Sequence, residues 1–188
     1  MMTGEADSQG ALFVISGPSG AGKSTIVSRL KQLPGVFYSV SVTSRSKRPG
    51  EKEAVDYHFV AREDFQKLVD SSGFAEYAEV AGNMYGTPRA PLEDALARGL
   101  KAIVDIDVQG AMQIKEKFPF ARLIFIEPPG MDVLEQRLRK RGTESEEVVR
   151  RRLDIARGEM ESAPRYDYRV VNDDLESAIE KTKNIILS

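Results

Sequence analysis

The chain has 188 residues, with 27 Lys and Arg against 29 Asp and Glu, no cysteine and one histidine, His58. Without cysteine, disulfides, zinc–thiolate and iron–sulfur sites and thiol catalysis are excluded, and a lone histidine excludes a multi-histidine metal centre. A net charge of −2 gives no general pull toward nucleic acid or a membrane surface, and no apolar run reaches the roughly 18 residues of a membrane span.

A chain of this length is expected to form one domain, with room for an inserted subdomain. Residues 1–10 are polar, carry Glu5 and Asp7, and lack the basic flank and apolar stretch of a signal peptide. A flexible tail and a cytoplasmic location are expected. Residues 11–15 are an apolar run ahead of a glycine-rich turn, the pattern of a buried parallel strand. A helical pattern over 23–33 is stopped by Pro34-Gly35. Residues 38–42 read as a second strand and 43–53 as a polar loop.

Residues 55–60 and 74–80 are strand-like, on either side of a helix at 63–70, and 80–84 read as a turn. Thr87-Pro88 reads as an N-cap and first helical residue, opening a helix to about Arg98 that ends at Gly99. A strand at 102–106, a helix to Lys117, a strand at 122–126, helices at 132–141 and 146–160, a strand at 168–171 and a helix at 175–187 follow. Alternation of strand and helix at both ends predicts an α/β fold, a parallel sheet with helices on both faces. The closely spaced strands within 41–90 break that rhythm and read as an insertion.

The strongest chemical signal is Gly17-Pro18-Ser19-Gly20-Ala21-Gly22-Lys23-Ser24, which matches G-x-x-x-x-G-K-[ST] between a strand and a helix. Its backbone N–H groups and the helix N-terminus suit phosphate oxygens. Lys23 is expected to reach the β- and γ-phosphates, the Ser24 hydroxyl to hold Mg²⁺, and Thr25 to continue the cradle. In Val104-Asp105-Ile106-Asp107, Asp105 ends a buried strand where a carboxylate can hold the waters of Mg²⁺. Asp107 fits that role or the cap of the next helix. These features indicate a nucleoside triphosphate with Mg²⁺. On their own they fit a GTPase, an ATP-driven motor or a small-molecule kinase alike.

The acceptor side is carried by a series of short elements. Thr43-Ser-Arg45-Ser-Lys-Arg48-Pro-Gly-Glu51, Asp56-Tyr57-His-Phe59, Phe74-Ala-Glu76 and Gly82-Asn-Met-Tyr85-Gly-Thr87 come first. Asp105-Ile-Asp107-Val-Gln-Gly110 and Arg141-Gly-Thr-Glu144 follow. With the phosphate loop, in this order, they resemble the guanylate kinase family over residues 11–175. The resemblance implies a three-layer P-loop nucleoside monophosphate kinase core (11–40, 91–130 and 158–188), a GMP-binding insertion (41–90) and a helical lid (131–157). It implies transfer from ATP to GMP, with dGMP a possible acceptor.

By the same resemblance Arg45, Arg48, Tyr57 and Tyr85 hold the GMP phosphate, Ser41, Glu76 and Thr87 read guanine, and Asp105 also belongs to the GMP site. Arg137, Arg141 and Arg152 clasp the ATP phosphates and the transferred group, and Asn172 approaches adenine. Two arginines and two phenols are directional donors for a dianionic phosphate. A carboxylate can accept the adjacent N1–H and N2–H of guanine, a pair that adenine lacks. Arg137 and Arg141 are four apart and share a helical face, whereas Arg150, Arg151 and Arg152 fan out by about 100° each. His58 reads as structural. Two other readings stand beside this one: a guanylate-kinase-like binding module, against which the intact phosphate loop argues, and a kinase for another monophosphate, against which the guanine-reading set argues. The sequence leaves oligomeric state open.

Overall fold

The computed structural model describes residues 10–140 and 145–188. In chain order the elements are β1 (Ala11–Ser16), α1 (Lys23–Leu30), β2 (Val36–Tyr38), β3 (Val42–Thr43), β4 (His58–Phe59), α2 (Arg62–Asp70), β5 (Phe74–Val80) and β6 (Asn83–Pro88). They continue as α3 (Arg89–Ala97), β7 (Lys101–Asp105), α4 (Val108–Lys117), β8 (Arg122–Glu127), α5 (Met131–Lys140), α6 (Glu146–Glu161), β9 (Tyr168–Val171) and α7 (Leu175–Leu187). The expected tail falls largely on residues 1–9, outside the described residues. Gly10, assigned to that tail from sequence, is buried and donates its N–H to Leu96 O at 3.1 Å.

Among the described residues one sheet has the order β2-β7-β1-β8-β9, with every pairing parallel. Its central strands β1, β7 and β8 are apolar on both sides because helices cover both faces. Alternation along each strand sorts the side chains. Leu12 and Val14 of β1, Ala102 and Val104 of β7, and Leu123 and Phe125 of β8 pack with Leu92 of α3 and Ile114 of α4. The intervening Phe13, Ile15, Ile103, Ile124 and Ile126 pack with Ile26 and Leu30 of α1 and Ile179 and Ile186 of α7. Each of these large side chains, buried in full, contributes roughly 1.5–3 kcal/mol of transfer free energy. The result is a three-layer α/β core.

A second sheet has the order β4-β3-β6-β5. The β5–β6 hairpin is antiparallel, and α2 closes the sheet through Phe65, which stacks on Phe74 with ring centroids 4.5 Å apart. The helices α5 and α6 pack on each other through Leu134, Leu138, Val149, Leu153 and Ala156.

The fold departs from the sequence expectations at several places. The single strand over 38–42 is two: β2 ends in the large sheet at Tyr38, and β3 begins in the small sheet at Val42. Ser39, Val40 and Ser41 carry the chain between them. The turn over 80–84 is shorter, and β6 runs on through Thr87 and Pro88, so Thr87 is a strand residue and not a helix cap. The first helix stops at Leu30, and Lys31–Leu33 form a turn on its end. Strand β4 covers only His58 and Phe59 of the expected 55–60.

Candidate active site

The C-terminal ends of β1 and β7 open onto the face where the phosphate loop runs into α1. The loop needs glycine at specific positions. Gly17 has φ 141° and packs so closely on β8 that a Cβ would stand 2.1 Å from Ile126 O. Gly22 caps α1 in the left-handed region, at φ 94°, which a side chain would strain. Lys23 Nζ donates to Gly17 O and, at 3.4 Å, to Pro18 O, so its charge lies over the loop. Ser24 is exposed in the first turn of α1.

A cavity of about 410 Å³ extends from this loop to the small sheet. At its loop end lie Lys23, Ser24, Asp105 and Arg152, and at its far end Ser41, Arg48, Tyr57, Glu76 and Tyr85. Burial holds the Asp105 carboxyl above the usual range, against the opposing charge of Lys23. The α6 residue Arg152 reaches the loop directly, its Nη2 donating to Ser19 Oγ at 3.1 Å.

At the far end Glu76 projects from β5 and is 3% exposed. The Thr87 hydroxyl on β6 donates to Glu76 Oε1 at 2.6 Å. Burial pushes the Glu76 carboxyl up to about 7; the Asp107 charge adds to this, while the Thr87 bonds and Lys117 oppose it. Also at this end, Tyr57 and Tyr85 meet edge to face, with centroids 5.9 Å apart. Burial, together with the nearby Asp105 charge, pushes the Tyr57 phenol up to about 12. Ser41 is buried and its carbonyl accepts from His58 N at 2.9 Å.

Arg45 stands behind the cavity lining. Its Nη2 and Nη1 donate to the two Glu51 oxygens at 2.8 and 3.1 Å, and its Nε donates to Tyr85 OH at 3.2 Å. The guanidinium also sits 5.5 Å from the Tyr57 ring centroid. Glu51 accepts from Arg48 N at 2.7 Å as well, so one carboxylate organises the loop that bears both arginines. Pairing with Arg45 holds Glu51 below the usual carboxylate range.

Arg137 and Asn172 meet away from this cavity. A second cavity, of about 380 Å³, is lined by Gly20, Gly22, Thr25, Arg137, Lys140 and Asn172, among others. Arg137 Nη2 donates to Asn172 O at 2.9 Å, and Asn172 Nδ2 donates to Ala21 O at 2.6 Å. Ala21, a residue of the loop itself, is fully buried. Arg141 lies outside the described residues.

Two residues at the cavity were missed or left undecided from sequence. Glu159 of α6 lines it and lies close enough to Lys23 and Asp107 to feel both charges; burial raises its carboxyl. The signal was available, since Glu159 follows Arg152 by two helical turns and shares its face. Asp107 fills the capping role expected of it and also lies at the cavity. Its Oδ1 caps α4 by accepting from Gly110 N at 2.8 Å.

A parallel sheet whose first strand runs through a glycine-rich phosphate loop into a helix defines a P-loop nucleotide-binding protein. A family model described as guanylate kinase matches residues 9–188. The guanylate kinase of Desulfitobacterium hafniense (strain Y51) is 49% identical over 180 residues, covering 95% of this chain and 90% of that protein. That of Carboxydothermus hydrogenoformans is 46% identical over 179 residues, covering 95% and 88%. The crystal structure of guanylate kinase from Anaplasma phagocytophilum superposes with a TM-score of 0.82 at 38% identity, covering 96% of this chain and 86% of that one. The chain belongs to the guanylate kinase family. Among the described residues, no helix is long and apolar enough to cross a membrane.

Proposed function

We propose that the chain transfers the γ-phosphoryl group of ATP to GMP, giving ADP and GDP. The observation that carries this reading is one cavity with a phosphate loop at one end and, at the other, the Glu76 carboxyl, which the buried Thr87 hydroxyl bonds from behind the lining. Guanine presents two adjacent donors. Glu76 accepts them, and Thr87 and Ser41 complete the base site. Arg48, Tyr57 and Tyr85 hold the GMP phosphate, with Arg45 bracing both phenols and adding its charge from behind. ATP lies with its phosphates on Gly17–Thr25 and its base toward Asn172.

The acceptor phosphate is anionic at neutral pH, so no general base is needed. Catalysis rests on holding two polyanions in line and on offsetting the charge that spreads over the moving group. Lys23, Arg137 and Arg152 supply that charge, with Arg141 as a fourth by resemblance. The helices α5 and α6 act as the lid. Arg152 already touches Ser19, and closure on nucleotide excludes water that would otherwise receive the phosphoryl group.

The Ser24 hydroxyl and the Asp105 carboxylate are hard oxygen donors facing one cavity, and they fit Mg²⁺ bound through one or two protein oxygens plus phosphates. When bound, Mg²⁺ neutralises charge on the triphosphate. The test is transfer of label from ATP radiolabelled in its γ-phosphate, in the presence of GMP. Label recovered in GDP supports the reading; label recovered only as inorganic phosphate contradicts it.

A further inference from the structure

Gly110 sits in the first turn of α4, buried, and its φ is not positive. The backbone there does not require glycine, and alanine would favour the helix. What glycine leaves is space. A Cβ at this position would stand 2.5 Å from Glu76 Oε2, 3.1 Å from Glu76 Cδ and 3.3 Å from Ile106 Cδ1.

The helix cannot easily yield. Its start is fixed by the Asp107 cap. Farther along, Gln113 Nε2 donates to Tyr77 O at 2.9 Å and Lys117 Nζ to Ala75 O at 2.7 Å. Those two carbonyls flank Glu76 on β5, so α4 is tied to the strand on both sides of the carboxylate. The free end of the Glu76 side chain is the part able to move, and moving it breaks its alignment with Thr87.

We infer that Gly110 is a specificity-positioning residue: its missing side chain is the seat of Glu76 Oε2 and aims the carboxylate at the base of the acceptor nucleotide. This rests on the reading above that Glu76 accepts the guanine donors. Any side chain at position 110 turns the carboxylate aside without touching the phosphate loop.

The test is a double-mutant cycle of Gly110→Ala and Glu76→Ala, with KM for GMP, KM for ATP, kcat and melting temperature measured on each variant. Gly110→Ala is expected to raise KM for GMP roughly tenfold or more, the scale of one hydrogen bond to a charged group. KM for ATP should stay within about twofold. In the Glu76→Ala background the same change should add less than about twofold, because no carboxylate remains to be displaced. If Gly110→Ala destabilises the fold, Glu76→Ala should restore the loss. An unchanged KM for GMP overturns the inference, and so does an equal penalty in both backgrounds or a destabilisation that Glu76→Ala leaves in place. If Glu76→Ala itself leaves GMP use intact, the guanine reading fails and the inference with it. If Glu76→Ala impairs GMP use while the Gly110 penalty persists beside it, the inference alone fails.

Discussion

The Thr87 hydroxyl donates to Glu76 Oε1 across 2.6 Å, and the two residues are 0% and 3% exposed. An ionised carboxylate has about four acceptor sites, so this bond leaves sites on both oxygens for the two donors of a ligand. Glu76→Gln keeps the shape but turns an acceptor into a donor facing a guanine N–H. Hydrogen bonds to a charged group are worth about 1.5–3 kcal/mol, so kcat/KM for GMP should fall roughly 10- to 150-fold. ATP affinity should hold, because the triphosphate lies across the transferred group. Equal losses for both nucleotides would relocate the guanine site.

The Glu76 carboxyl titrates near 7 in the folded chain against an ordinary value of 4.5. Between those values the folded state holds a proton that the unfolded state has released, so stability falls as pH rises through the window. Above it the cost is complete, at most roughly 3 kcal/mol. Glu76→Gln removes this cost, so the melting temperature of the variant minus that of the wild type should widen from about pH 5 to about pH 8. A difference independent of pH would show that the carboxyl is not held up by burial.

Lys23→Met should lower kcat roughly 100- to 1,000-fold, the scale for losing one preorganised donor at the site of charge development. The hydrogen bonds of Lys23 Nζ go to loop carbonyls, Gly17 O and Pro18 O, so circular dichroism and melting temperature should change little. A folded variant with near-normal turnover would contradict the role given to the loop.

Arg137→Ala should lower kcat more than it weakens GMP binding. Arg137 lines the second cavity and bonds Asn172 O, on the ATP side of the phosphate loop, whereas Glu76, Arg48 and Tyr57 line the first. Steady-state kinetics showing only a raised KM for GMP would move Arg137 to the acceptor site.

The large sheet was legible in the sequence because its central strands are buried on both faces and read as apolar runs, as in residues 11–15 and 122–126. That the run over 38–42 divides between two sheets was not. Backbone continuity through Ser39, Val40 and Ser41 hides a change of partner, which only tertiary pairing sets. Thr87 misread as a helix cap for a similar reason. Thr-Pro ahead of a helical pattern satisfies the local rule, but pairing of β6 with β5 keeps Thr87 in the strand and turns its hydroxyl to Glu76. The phosphate loop was legible in full, since its chemistry is contiguous. Glu159, and Glu51 behind Arg45, were not singled out, because each matters through a partner brought close by folding or by a loop turn.

The most direct test is ADP release measured with GMP, AMP, UMP and CMP as acceptors under identical ATP and Mg²⁺. A cavity that reads guanine through Glu76 and Thr87 predicts turnover with GMP and rates near background with the other three. Comparable rates with AMP, or ADP release that does not depend on any acceptor, would contradict it.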